Sequence, residues 1–393
     1  MKIKKTHFIL PVVIFISALV MNACRPLRNF YDAPKAWSGD YPVKASLPVP
    51  DPAKKNVFII ADSKLTVLFD MLAPYYLFNA TEKANVYIIT KERVPIFIRR
   101  YLFVMPQLSF READSMQLRA DAIVIPALSI RDEHQDPVLI DWIKNHFLPE
   151  TKMLSICDGS ATAAATGLYD GKPITTHASD FAYVSSHFSK PVWVQHVTVT
   201  KSGNLFSTAG VSNAVEGSLT VIEELFGKET MKKVLQDVHY PSAEIKTAHR
   251  SIALNGSDKF NVLKKVLFRK NRDIGALLEN GINEFDMATI LELYGRSFPA
   301  SFKTYVLNGS TVQTKYGLVL ISTGDNRIKG LDELHVVRTE PFSPAEEADL
   351  KNTRIIRYPH EGSEYLVNTC LERIGKQYGP RFRNFVKISL DYN

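Results

Sequence analysis

Apolar residues along this chain gather in short runs, and the stretches between those runs repeat at three- and four-residue spacing. The runs Val57–Ala61, Asn85–Ile89, Ala122–Pro126 and Met153–Ile156 are short, β-rich and continuous, which predicts buried strands. Leu65–Phe78, Pro137–Phe147 and Ser218–Val238 carry the helical period, the last as one long amphipathic helix. Strands alternating with helices predict an α/β fold with a mostly parallel sheet covered by helices on both faces. Sites in such sheets lie at the carboxyl ends of the strands.

A fainter pattern repeats in the second half. Phe69-Asp70-Met71 returns as Phe285-Asp286-Met287, Leu77-Phe78 as Leu293-Tyr294, and Tyr87-Ile88-Ile89 as Tyr305-Val306-Leu307. The strand Ala122–Ile125 is matched by Leu334–Val337, the stretch 221–227 by 371–379, and Val238-His239-Tyr240 by Leu390-Asp391-Tyr392. From Asp70 to Tyr240 is 170 positions and from Asp286 to Tyr392 is 106, so the second copy is 64 residues shorter. Shared α/β texture is the alternative reading, against which stand the order and near-constant offset of the matches.

The 393 residues are 45% hydrophobic and 23% charged, enough for two packed domains. Of the net charge of +7, three units belong to Lys2, Lys4 and Lys5, leaving +4 on the rest. So small an excess on so long a chain gives no footprint for nucleic acid. Residues 1–24 read as a signal: a basic start, an apolar stretch from Phe8 to Met21, then Asn22-Ala23-Cys24. The apolar stretch is shorter than the ~20 residues of a full span. Cys24 after the small Ala23 suggests a bacterial lipoprotein acylated at Cys24, with an uncleaved anchor or ordinary secretion as the alternatives. Each of them exports the body to the cell envelope. Residues 25–55 hold Pro26, Pro34, Pro42, Pro48, Pro50 and Pro52 and read as an extended tether. Residues 56–242 form the first domain, 243–272 a basic linker with Lys264, Lys265, Arg269, Lys270 and Arg272, and 273–393 the shortened second domain. The basic cluster reads as a solvated helix face or as a contact with anionic lipid.

The chemistry concentrates at Ser155-Ile156-Cys157-Asp158-Gly159. Small residues two positions either side of a nucleophile, between a strand and the Ala-rich helix Ser160–Thr166, are the pattern of a nucleophile elbow. A cysteine facing a helix N-terminus is expected to favour the thiolate. Twenty residues on, Thr175-Thr176-His177 follows the turn Tyr169–Pro173. Cys24, Cys157 and Cys370 are the three cysteines, and their spacing matches neither a zinc site nor a small disulfide scaffold. No phosphate loop, dinucleotide fingerprint or metal motif appears, so no cofactor is expected. His187, His196 and His239 lack paired spacing and read as surface or packing residues.

The block 155–177, SICDGSATAAATGLYDGKPITTH, resembles the ThiJ/PfpI superfamily, and is similar above all to the amidotransferase-like domain at the front of AraC-type regulators. The resemblance covers residues 56–241, with 273–392 as a truncated second copy without the elbow. It implies a parallel-sheet sandwich of the flavodoxin-like, class I glutamine amidotransferase-like kind, in two tandem copies. It also implies that Cys157 and His177 share a pocket with Asp70, which stands four residues before Pro74. The resemblance further implies that backbone N–H groups at Leu128 and Asp158 take the oxyanion position. Two departures stand out: Ala127-Leu128 replaces the usual Gly-Gly, and Asp158 stands where hydratase-like members often carry Thr. A second carboxylate beside the thiol disfavours anionic substrates. Asp180 is placed to orient His177, while Asp286 repeats Asp70 without a cysteine and reads as structural. Regulators of this type carry a DNA-binding helix pair where this chain has its second copy, so DNA binding has no carrier.

Two functions remain open. One is a tethered hydrolase or hydratase using Cys157, His177 and Asp70 on a small neutral molecule. The other is a non-catalytic module that binds a ligand or senses oxidation in the same pocket. Dimerisation, common in the superfamily, leads to the expectation that the second copy docks on the first as an internal pseudo-dimer, or that the chain forms a homodimer.

Overall fold

The computed structural model describes residues 24–30, 37, 39, 46–98, 101–131, 135–307, 309–324, 328–337, 341–344, 347, 350–358 and 364–392. The leader, apart from Cys24, lies outside the described residues. Among them no helix is long and apolar enough to cross a membrane.

The strands of the first half are β1 (Lys55–Ile60), β2 (Ala84–Thr90), β3 (Ile96–Ile98), β4 (Leu102–Met105), β5 (Leu108–Ser109), β6 (Ala122–Ile125), β7 (Lys152–Ser155), β8 (Pro173–Ile174), β9 (Val192–Trp193), β10 (Val199–Ser202) and β11 (Leu205–Thr208). Seven of them form one sheet in the order β10-β11-β7-β6-β1-β2-β5, parallel except for β10. Val57 to Ile60 are fully buried because both faces of a parallel sheet are covered, which is why the strand reads as a continuous apolar run. The second half supplies β12 (Asp273–Leu277), β13 (Ser301–Tyr305), β14 (Thr311–Gln313), β15 (Val319–Ser322), β16 (Glu333–Val336) and β17 (Arg354–Arg357). Its sheet, β13-β12-β16-β17, is wholly parallel and has the neighbour order of β2-β1-β6-β7 in the first.

The helices begin with α1 (residues 24–30), α2 (Leu68–Asn79), α3 (Phe110–Ser115), α4 (Pro137–His146), α5 (Gly159–Ala165) and α6 (Phe181–His187). They continue with α7 (Ala214–Phe226), α8 (Lys228–Asp237), α9 (Gly256–Phe268) and α10 (Glu284–Gly295), then helices Leu366–Tyr378 and Pro380–Ser389. Their starts follow local chemistry: Ser109 and Glu112 close a capping box on α3, and Asp136 caps α4 with Pro137 in its first turn.

The backbone matches between the halves at three left-handed positions. Glu82 (φ 58°) corresponds to Phe298 (φ 53°), Gly227 (φ 85°) to Gly379 (φ 95°), and His239 (φ 51°) to Asp391 (φ 55°). The halves join through α2 and α10, where the Phe69 and Phe285 rings lie 5.5 Å apart. Hairpins from each half also meet in a four-stranded antiparallel sheet, β14-β15-β4-β3, with Val104 opposite Leu320.

Four expectations change. The long helix 218–238 is two helices, because Gly227 at φ 85° turns the chain between them. The tether does not begin extended: residues 24–30 are helical and docked, with Arg25 2.9 Å from Asp273 and Phe30 stacked on Phe298. The linker 243–272 contains α9. Its basic cluster is dispersed, since Lys265 is buried and donates to the Phe298 carbonyl, Lys270 pairs with Asp332, and Arg272 pairs with Glu333.

Phe285 is 1% exposed and meets Phe69, Tyr76 and Tyr365 at the seam. Phe285→Ala should therefore destabilise the chain by about 3–5 kcal/mol. Urea unfolding checks this, and a loss below about 1 kcal/mol would show that the seam does not hold the halves together.

Candidate active site

Strand β7 delivers the chain to Cys157, which takes φ 54°, a strained left-handed backbone for a non-glycine residue. The bend is possible because residue 159 is Gly. A Cβ there would stand 2.1 Å from the Ile125 carbonyl oxygen and 2.6 Å from that of Pro126. Cys157 is 3% exposed, and its N–H donates to Thr208 Oγ1 at 3.4 Å. This is the elbow expected from residues 155–159.

Asp70, in the first turn of α2, is fully buried. Its Oδ2 accepts the Ala127 N–H at 3.1 Å, while Oδ1 has no partner. Burial, the charge of Glu292 and that of Asp158 push its pKa well above the usual carboxylate range, against the Ala127 bond and Arg296. The Asp70 carboxyl thus holds its proton more tightly than an ordinary carboxyl group, and Oδ1 is the oxygen left unpaired. The Ala127 amide, already committed to Asp70, is not available to a substrate. Leu128 is buried beside it.

Asp158 takes the N-cap position of α5 without capping it. The Thr176 hydroxyl lies 3.0 Å from Asp158 Oδ1 and 3.2 Å from the Cys157 carbonyl oxygen, which ties the His177 loop to the elbow. Although Asp158 is partly accessible, dehydration of its carboxyl and the charge of Asp180 raise its pKa to about 7, against the pull of His177. The Cys157 thiol is pushed well above its ordinary value by burial, then by Asp158 and Asp70, and the Asp158 N–H does not compensate. The expected thiolate is therefore corrected to a neutral thiol. A seven-residue helix end cannot offset burial among carboxyl groups.

His177 is 6% exposed, and neither ring nitrogen bonds the sulfur. Nε2–H donates to the Ser389 carbonyl at 3.3 Å, and Nδ1 faces the Ser179 N–H at 3.2 Å and Asp180 Oδ2 at 3.5 Å. Burial works to lower its pKa, but Asp180, Asp158 and Asp391 outweigh it and hold it above the usual value. Asp180 has the orienting place expected of it. Its own carboxyl is held low, against burial, by the His177 contact.

Sequence reasoning missed that the C-terminal segment closes over this site. Ala178 N–H donates to Asp391 Oδ2 at 3.3 Å and Ser212 N–H to the Leu390 carbonyl at 3.0 Å. His249 Nε2 stands 3.2 Å from Asp391 Oδ1, near enough to pair yet misaligned for a hydrogen bond. Gly210 is required here, since a Cβ would lie 2.1 Å from Asp391 Cβ. Arg296 follows α10, donates to the Ser389 carbonyl at 2.7 Å and grips Glu292 at 2.7 Å. The signal was present in the repeat that aligned His239 with Asp391, but its use as a cover depends on how the halves dock. Asp286, expected from the sequence to repeat Asp70, is raised to about 7 by burial, with Lys315 opposing. His187, His196 and His239 are exposed. Among the described residues no group of three His, Cys, Asp or Glu side chains could hold a metal ion.

These carboxyls set a pH dependence. Between the unfolded carboxyl value of 3.8 and the folded value of about 7, Asp158 keeps a proton that the unfolded chain has lost, so stability falls as pH rises through this window. Asp158→Asn should flatten the decline of Tm between about pH 4 and 7; an unchanged slope would mean that Asp158 is not held neutral.

Comparison with known proteins agrees with this geometry. Residues 54–224 match the family described as the DJ-1/PfpI family. An isonitrile hydratase of Pseudomonas putida is 26% identical over 44% of this chain and 74% of its own length. The Parkinson disease protein 7 homolog of Danio rerio is 26% identical over 36% of this chain and 74% of its own. The crystal structure of Drosophila melanogaster DJ-1beta aligns with TM-score 0.42 at 20% identity, covering 47% of this chain and 96% of that one. With the elbow at Cys157 at the end of a parallel strand, residues 54–224 belong to the DJ-1/PfpI family.

Proposed function

We propose that this chain is an exported, membrane-tethered DJ-1/PfpI protein whose elbow pocket holds a small neutral molecule without turning it over, the second half being a shortened copy that serves as cover. The observation that carries this reading is the state of Cys157: a thiol pushed well above its usual value by burial and two carboxyl groups is a poor nucleophile. A neutral Asp70 with an open Oδ1 suits a ligand that accepts one hydrogen bond, and the nearby acids disfavour anions. Export is supported by the basic, then apolar, leader ending at Cys24. The shortened-copy reading is supported by the matching strand order and the three paired left-handed positions.

A hydratase is the second reading, favoured by the isonitrile hydratase relative and by the same Asp70 proton, which could be delivered to a substrate carbon while Cys157 or water adds. Both readings require the site to open, since Asp70 is fully buried and Cys157 is 3% exposed, and this one also requires His177 to leave Ser389. The readings separate on iodoacetamide labelling of the full chain across pH, followed at the Cys157 peptide by mass spectrometry. The binding reading expects half-maximal labelling above about pH 9 and no formamide from an alkyl isonitrile beyond background. Labelling centred below about pH 7, or turnover abolished by Cys157→Ala, would replace binding with chemistry.

A further inference from the structure

Helix α9 is apolar on two sides. Val262 and Val266 are buried against the second half, as a surface helix requires. The opposite side should be polar, yet Phe260 is 63% exposed, Phe268 62% and Leu263 45%. Positions 260, 263, 264, 267 and 268 share one face at helical spacing, so these side chains form one patch, with the partly buried Leu267 among them. The cations Lys259, Lys264 and Arg269 are exposed along the same stretch. The helix carries one acid, Asp258, which is buried and committed to the Asn255 capping box. An apolar face with Lys264 within it, Lys259 beside it and Arg269 just past its end has the composition of a helix lying in a membrane interface.

The chain enters beside this helix. Arg25 pairs with Asp273, five residues beyond Phe268, and Phe30 stacks at 4.3 Å on Phe298, whose carbonyl accepts from Lys265 of α9 at 2.7 Å. Exposed Cys24, where the apolar leader ends, therefore stands at the same edge of the second half.

We propose that the outer face of α9 lies on an anionic lipid bilayer, with Phe260, Leu263 and Phe268 in the interface and Lys259, Lys264 and Arg269 against lipid phosphates. This rests on the tethered reading above, and adds a second, non-covalent membrane contact that fixes the body's orientation. Such a face adds binding free energy that grows with the apolar area buried and with attraction to anionic lipid.

The test uses the full chain in phosphatidylcholine vesicles with and without phosphatidylglycerol. Nitrobenzoxadiazole is attached at Phe260→Cys or, as a control, at exposed Val192→Cys, and the signal of the labelled parent is subtracted. Flotation reports the tether and emission reports the helix. The expected result is flotation with a blue shift at position 260, absent at 192, dependent on phosphatidylglycerol and lost when Lys259→Glu and Lys264→Glu are added. A chain that floats while position 260 emits as in water overturns the docking and leaves the tether standing. A chain that does not float overturns both. A blue shift in buffer with a doubled mass by light scattering assigns the patch to a second copy and overturns the lipid assignment.

Discussion

Helix α2 has no polar face. Every residue from Leu68 to Phe78 is buried, and α10 is nearly as enclosed, with only Asp286 partly open. A helix apolar all round must be covered all round. The first sheet and α7 cover one side of α2, and α10 covers the other. Neither half can present its first helix to water without losing the burial of several large side chains, Tyr75, Tyr76, Phe78 and Phe285 among them. The two parallel sheets are therefore held as one body, with the antiparallel hairpin sheet clasping them at a second place.

The site's electrostatics follow from that burial. Asp70 sits on α2, and the packing that covers the helix also strips water from the carboxyl. Docking brings Glu292 and Arg296 from the second half toward it, the first raising and the second lowering its proton affinity. Burial and Glu292 prevail, so its proton affinity is raised, while burial and then Asp158 keep Cys157 protonated. The same seam positions Ser389 and Asp391 over His177 and Ala178. Chemistry in the first half is thus governed by residues more than a hundred positions away.

What could be read from the chain was what local physics fixes. Short apolar runs gave the strands, and the small residues around Cys157 gave the elbow by their spacing, although the backbone that forbids a Cβ at Gly159 is that of Ile125 and Pro126 at the end of the neighbouring strand. The break at Gly227 was missed because the amphipathic period continues across it, while the φ of 85° does not. Lys265 read as part of a basic surface, since charge alone does not say that the Phe298 carbonyl and the Tyr378 ring will receive its ammonium in the interior. Its pKa falls to about 7 through burial and then Arg272. The protonation of Cys157 differs from the expectation because the helix end is local and legible, whereas burial, the largest effect and one that Asp158 and Asp70 reinforce, exists only once the fold is assembled.

The cover over the elbow bears on which chemistry the fold allows. Cys157 and Asp70 are both nearly sealed, and His177 has its Nε2 proton committed to a backbone carbonyl of the C-terminal segment. For a substrate to reach the sulfur the site must open, and the bonds from Ala178 and Ser212 to that segment, with Gly210 close against Asp391, hold the loops beside His177 together. Opening would also rehydrate Asp158 and Asp70, lower their proton affinities and place negative charge beside the thiol, which raises the barrier to forming a thiolate. Closed, the site excludes substrate; opened at neutral pH, it gains charges that oppose its own nucleophile. Turnover would need a ligand that enters, keeps both acids dry and accepts the Asp70 proton, and a small neutral molecule does so without bringing a further negative charge beside the thiol.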